Sequence, residues 1–356
     1  MTVWCLLGKK AGDNTQVLAL AEELGWGFQE KHINARPWEL LVHLGAAVTL
    51  AGIDRAASSQ LQAPWPDLVI TAGRRNEPVA RWIQQQSGGT ARLVHIGRPW
   101  APLSAWDLIV TTGQYFLPMQ KNVVHNSLPL HRVQDSELAA GAQNLRPQLT
   151  TLPRPWIAVL VGGNSGKFVF TADKGARMGR LVNQLAAQVG GALLVSDSPR
   201  TPAAAMDAFE AQLTVPNQCH RCASGDDNPY IGMLALADAF VVTGESMSML
   251  SEAASRDKPM FVFDLSDPDS PWWLSLHNYG FKPLSHRIAM RFGPQRMRRD
   301  VSKIQDELVQ TGQASWLTSQ TIASASDGLS TIDSSSAGVS AVDLERATAA
   351  IRQLLS

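Results

Sequence analysis

A chain of 356 residues with 45% apolar content is long enough for two ordinary domains with full cores. Its 31 basic residues are matched by 31 acidic ones, which argues against a global electrostatic grip on nucleic acid. No apolar run reaches bilayer length, and three cysteines (Cys5, Cys219, Cys222) make no disulfide scaffold and fit a reducing cytoplasm.

The N-terminus lacks a basic n-region, and its apolar run is too short for a secretion signal; residues 3–7 read as a first strand. Helices are expected at 14–24 and, opened by Pro37, at 37–50. A strand at 67–71, a helix at 77–85 and strands at 93–96 and 108–111 follow. Residues 134–155 run through a helix into the Pro/Thr-rich string TTLPRPW, which reads as a linker. The second set has strands at 157–161, 192–195, 239–242 and 260–263. Its helices lie at 173–188, near 202–212, after the Asn228-Pro229 start, and around Glu252. This alternation implies parallel sheets with helices on both faces. The halves echo each other: Asp67 to Gly73 and Asp238 to Gly244 both run through an apolar strand to a glycine.

The tail differs. Residues 282–303 concentrate Lys282, Arg287, Arg291, Arg296, Arg298, Arg299 and Lys303. A helix is expected at 297–311, a Ser/Thr/Ala-rich surface loop at 318–340 and a last helix at 342–355. The expected domains are 1–150, 151–285 and a basic helical tail, 286–356.

The most telling stretch is 237–265. A strand ends in Thr243-Gly244, Glu245, Ser246 and Ser248 follow, and a helical pattern carries Glu252. A helix that begins with Gly and Ser after a strand offers free N–H groups and its positive dipole end to an anion. Ser248 and Glu252 share a helix face, which suits a phosphate at the start and a ribose diol on the glutamate. An ordinary capped βαβ unit has the same pattern. The turn Val161-Gly162-Gly163-Asn164-Ser165-Gly166-Lys167 also ends a strand. Its glycines permit close approach to a ligand, and Ser165 and Lys167 can hold phosphate oxygens; a plain tight turn fits too. It is neither a Walker A loop nor a GxGxxG fingerprint. Both turns lie at carboxyl ends of strands, where open α/β sheets bind ligands.

In the first set, Gly12 allows close approach, and Asp13 or Asn14 can cap the following helix. Asp13 in a cleft would instead serve as general base toward a hydroxyl. Arg74 and Arg75 suit an anionic substrate group, or a solvated loop. Cys219 and Cys222 lack a second ligand pair, and Asp267 and Asp269 sit in a Pro/Ser loop, so no metal site is expected. No GxSxG elbow occurs. Trp100, Trp106, Trp156, Trp272 and Trp273 read as packing residues.

The strings GDNTQVLALAEELG (12–25), PDLVITAGRRNEPVAR (66–81), LPRPWIAVLVGGNSGKFVFT (152–171) and NPYIGMLALADAFVVTGESMSMLSEAASRDKPMFVF (228–263) resemble the bacterial mitochondrial-fission family. HRIAMRFGPQRMRRDV (286–301) fits as well. That family is in turn similar to GT-B glycosyltransferases, with the lipid-linked N-acetylglucosaminyltransferase of peptidoglycan synthesis as a parallel. The resemblance implies an α/β fold of two Rossmann-like doubly wound domains facing a cleft. It implies a nucleotide-diphosphate sugar on the second domain, held without a metal, and an acceptor, lipid-linked or part of the cell envelope, on the first. It assigns Gly163, Ser165, Ser246, Ser248 and Glu252 to the donor, within turns that also contain Gly162, Asn164, Lys167, Gly244 and Glu245. On the acceptor side stand Gly12, Asn14, Arg74 and Arg75, with Asp13 as base in place of the usual Gly-Gly-His arrangement. No further cofactor and no nucleic acid is expected. A cytoplasmic protein is implied, with segment 282–303 against anionic membrane lipid or simply solvated. The rival readings are a non-catalytic adaptor and a nucleotide-sugar epimerase. The second would need a nicotinamide cofactor, and the chain lacks its GxGxxG and YxxxK signatures.

Overall fold

The computed structural model describes residues 1–37, 48–165, 168–224, 227–266, 292, 299–325, 329 and 339–356. They divide into two compact units. The first holds Met1–Arg132, Arg299 and Ser340–Ser356, and the second holds the described residues between.

In the first unit β1 (Val3–Leu7) is buried along its whole length. It leads through α1 (Ala11–Leu24) to β2 (Phe28–His32). The chain then forms β3 (Leu68–Ala72), α2 (Glu77–Gln86), β4 (Arg92–Ile96), β5 (Leu108–Thr112) and β6 (Val123–Asn126). The sheet is parallel, in the order β2-β1-β3-β4-β5-β6. Interior strands are apolar on both faces because helices cover both. On one face α1 packs Val17, Leu20 and Leu24 over Cys5, Leu7 and Ile70. On the other, Val79 and Ile83 of α2 join Trp4, Leu6, Val69 and Leu93.

The second unit begins with α3 (Asp135–Leu145) and β7 (Trp156–Leu160). Next come α4 (Ala172–Val189), β8 (Ala192–Ser196), α5 (Ala203–Glu210) and β9 (Asn217–His220). The chain continues with α6 (Tyr230–Leu236), β10 (Ala239–Thr243), α7 (Met247–Ala254), β11 (Met260–Phe263), α8 (Ser302–Gln310), β12 (Ser315–Trp316) and α9 (Ser319–Ser324). This sheet is also parallel, in the order β12-β11-β10-β7-β8-β9. Each unit is therefore doubly wound, as expected. The last helix, α10 (Val339–Leu355), belongs to the first unit and buries Ala347 and Ile351 in its core. Buried Asp343 on α10 accepts the backbone N–H of Leu128 at 2.9 Å. Among the described residues no helix is long and apolar enough to cross a membrane.

Three details differ from expectation. α1 starts at Ala11 with Lys10 as its cap residue, and neither Asp13 nor Asn14 caps it. Asn14 is bonded to Gly8 in both directions instead, accepting its N–H at 2.9 Å and donating to its carbonyl at 2.8 Å. Within the expected loop 318–340, Ser319–Ser324 is helical because the Thr318 hydroxyl caps it at the Thr321 N–H. Most of the helix expected at 37–50 lies outside the described residues.

Candidate functional site

Each sheet has a point where the strand order reverses. In the second unit β7 leads to β8 on one side, and β10 leads to β11 on the other. The crevice between β7 and β10 is where such a sheet can admit a ligand. Two turns border it, after β7 and after β10. Gly162 donates its N–H to Thr243 Oγ1 at 2.8 Å, and Gly163 donates to Glu245 Oε1 at 2.6 Å. The glycines serve contacts within the protein. A Cβ on Gly162 would lie 2.0 Å from Glu245 Oε1, and one on Gly163 would lie 2.0 Å from the Arg200 carbonyl oxygen.

Glu245 fills the crevice. It is 1% exposed, and its Oε2 has no hydrogen-bond partner among the described residues. Arg200 stands 3.8 Å from Oε1. Burial pushes the Glu245 carboxyl up to about 7, against the opposing pull of the Gly163 N–H and Arg200. Gly244 donates to the Phe263 carbonyl at 3.0 Å, and its own carbonyl accepts the side-chain amide of Gln305 on α8.

The remaining donor candidates are spread along these turns. Asn164 accepts the Phe170 N–H at 2.8 Å through its side chain, and Ser165 pairs with Phe168 through the backbone. Lys167 lies outside the described residues. Ser246 is buried at the cap position of α7 and makes no side-chain cap bond, while Ser248, two residues on, is exposed. Glu252 accepts the phenol of Tyr230, which starts α6. Burial raises the Glu252 carboxyl above its ordinary value; burial and Glu252 itself raise the Tyr230 phenol.

In the first unit the reversal lies between β1 and β3. There a pocket of about 60 Å³ is bordered by Gly8–Lys10, Asp13, Asn14 and Ala72–Asn76. Asp13, Asn14, Arg74 and Arg75 thus meet at one pocket, with Gly12 in the adjoining first turn of α1. Asp13 Oδ2 lies 3.7 Å from Lys10 Nζ. It also lies against Gly73, whose φ is +74° and where a Cβ would come within 2.8 Å of Oδ2. Arg74 stacks its guanidinium 4.5 Å from the Trp100 ring centroid.

Glu77 fixes the neighbouring loop. Its two carboxyl oxygens each accept a backbone N–H at 2.8 Å, from Trp100 and Ala101. Burial pushes this carboxyl up to about 7. Fully buried His95, pushed down to about 3 by burial, is neutral, so its 3.8 Å approach to Glu77 is no ion pair.

Sequence reasoning missed Arg200, Thr201, Tyr230, Gln305, Glu77 and His95. Thr201 donates its hydroxyl to the Val161 carbonyl at 3.1 Å and so shapes the β7 turn. Tyr230 and Glu77 carried a signal, the one beside the Asn228-Pro229 helix start and the other at the start of the helix expected at 77–85.

A family model described as mitochondrial fission ELM1 matches residues 11–278. The mitochondrial fission protein ELM1 of Arabidopsis thaliana is 27% identical over 261 residues, covering 66% of this chain and 61% of the plant protein. The chain therefore spans about 61% of that relative's length. An uncharacterized protein of Rickettsia prowazekii (strain Madrid E) is 23% identical over 350 residues, covering 87% of this chain and 92% of its own. Among solved structures, the glycotransferase of kitacinnamycin matches with a TM-score of 0.54 at 12% identity, over 99% of this chain and 97% of that one. The likeness is one of fold: two Rossmann-like domains of GT-B type.

Proposed function

The chain belongs to the mitochondrial fission ELM1 family, and from that premise we propose that it transfers a sugar from a nucleotide diphosphate to an acceptor hydroxyl. The observation that carries this reading is the pair of crevices at the strand reversals, on a fold of GT-B type. The donor lies on the second unit, at the turns of Gly162, Gly163, Asn164, Ser165 and Lys167 and of Gly244, Glu245 and Ser246. Ser248 takes phosphate oxygens at the start of α7. Glu252 takes the ribose diol, in competition with the Tyr230 phenol. The acceptor lies on the first unit, at Gly12, Asn14, Arg74 and Arg75.

Asp13 removes the proton from the acceptor hydroxyl. That oxygen bonds to the anomeric carbon as the bond from carbon to the diphosphate oxygen breaks, and the nucleoside diphosphate leaves with the electron pair. The start of α7 and Lys167 stabilise its charge, so the step as drawn draws on no metal. The basic segment 282–303, largely outside the described residues, rests on anionic lipid at the inner face of a membrane.

The test is calorimetric titration of the full chain with UDP, GDP, CDP, ADP and their sugar conjugates, with and without EDTA. Binding of one nucleotide that persists in EDTA and is lost in Ser246→Ala or Glu252→Ala supports the donor site. Absence of binding by a folded protein counts against it. Two observations favour a second reading, a non-catalytic adaptor: Glu245 fills the donor crevice and Tyr230 holds Glu252. Rescue of a deletion phenotype by a folded Ser246→Ala/Glu252→Ala double variant would select that reading.

A further inference from the structure

Positive charge gathers at the first unit's pocket although the whole chain balances 31 basic against 31 acidic residues. Lys9, Lys10, Arg74 and Arg75 border the pocket, and Asp13 is the acidic residue among them. Helices α1 and α2 both begin at its rim, at Ala11 and Glu77, so their positive ends add to the side-chain charge. Arg74 and the backbone of both turns are also held in place, while the Lys10 side chain is 71% exposed. Arg74 lies over Trp100, and the Trp100 N–H is fixed by Glu77. Asn14 ties the β1 turn to α1 through both of its bonds to Gly8, and buried Asn76 donates to the Leu6 carbonyl at 3.1 Å. A prearranged arginine between two fixed turns lowers the ordering cost of binding an anion.

We propose that this pocket holds a phosphate or diphosphate group of the second substrate, making the acceptor a phosphorylated molecule whose hydroxyl is presented to Asp13. The word acceptor rests on the glycosyl-transfer reading; the anion site does not. Four cations against one carboxylate, with two helix starts, match a multiply charged group better than a lone carboxylate. A volume of about 60 Å³ admits a headgroup and leaves the rest of the molecule outside.

The test is calorimetric titration of the full chain at low ionic strength with inorganic pyrophosphate, then with citronellyl diphosphate. The titrations use the Ser246→Ala background, which disables the donor turn of the second unit, and pyrophosphate is expected to bind there at one site. In that background Lys9→Gln/Lys10→Gln and Arg74→Gln/Arg75→Gln should each weaken it at least tenfold, while Lys121→Gln leaves it unchanged. Asp13→Asn, which removes the like charge, should tighten it severalfold. If both double variants melt early, Asp13→Asn decides: unchanged or weaker binding overturns the proposal. So does absence of pyrophosphate binding by the folded Ser246→Ala chain, or equal binding in folded double variants. Tighter binding of citronellyl diphosphate than of pyrophosphate supports a substrate headgroup. The reverse order overturns the acceptor assignment in favour of free anion. Pyrophosphate binding in this background, where the wild type takes no nucleotide sugar, would sink glycosyl transfer and leave the anion site standing.

Discussion

The two strand reversals share a topology and differ in what fills them. Both central strands run from an aspartate through apolar residues to a glycine, at Gly73 and Gly244. The next residue is Arg74 in one and Glu245 in the other. In the first unit the crevice is an open basic pocket. In the second it holds the protein's own Glu245 carboxyl, whose Oε1 accepts the Gly163 N–H at 2.6 Å. Topology supplies the crevice, and one side chain after the glycine decides whether it is lined by cations or occupied by the protein's own carboxyl group.

Matched glycine substitutions test this most severely. Gly163→Ala drives a methyl into the Arg200 carbonyl, 2.0 Å away, and should cost about 3 kcal/mol by chemical denaturation. Gly8→Ala, at the corresponding turn of the first unit, meets Asn76 Oδ1 at 3.4 Å and should cost roughly 0.5 kcal/mol or less. Equal costs would end the contrast between a closed and an open crevice.

The pH dependence comes next. With its carboxyl raised to about 7 from an ordinary 4.5, Glu245 keeps its proton in the folded chain after the unfolded chain has lost it. Stability therefore falls as pH rises from 4.5 to about 7 and stays low above. Glu77 acts in the same direction over the same window. Neutral His95 acts oppositely, lowering stability as pH falls from 6.5 toward 3. Glu245→Gln should thus be more stable than wild type at alkaline pH, by on the order of 2–3 kcal/mol, with no gain at about pH 4. Urea titrations at the two pH values check this, and a gain at both would show that Glu245 keeps its charge when folded.

Smaller effects attend the neighbours of the crevice. Tyr230→Phe removes the phenol from Glu252, should cost about 1 kcal/mol of stability and should tighten nucleoside diphosphate binding severalfold if Glu252 takes the ribose. Gln305→Ala frees the Gly244 carbonyl and should cost about 1 kcal/mol. A null result in melting would mean that water satisfies that carbonyl.

How much of this was legible in the sequence follows from burial. The strands β1, β3, β4, β5, β7, β8, β10 and β11 were readable because both their faces are covered, leaving near-continuous apolar runs. The four missed strands, β2, β6, β9 and β12, are the four sheet edges. Half-covered segments such as FQEKH and NQCH carry no such run. The site divides the same way. Glycine-bearing strand ends were legible as turns, because their signal is local. The closure of the second crevice was not, because Glu245 meets Gly163 across 82 positions and Gln305 meets Gly244 across 61. Gly162 and Gly163, expected to let a ligand approach, are small because Glu245 and Arg200 already do.

Helix α10 gives the molecule a timetable. Ala347 and Ile351 seal the core formed by Val17, Leu20 and Ile70, so the half of the protein that leaves the ribosome first is the half completed last. At common elongation rates the roughly 200 intervening residues occupy on the order of 10–40 s. Throughout that interval the nascent first unit lacks the cover that Ala347 and Ile351 give to Val17, Leu20 and Ile70.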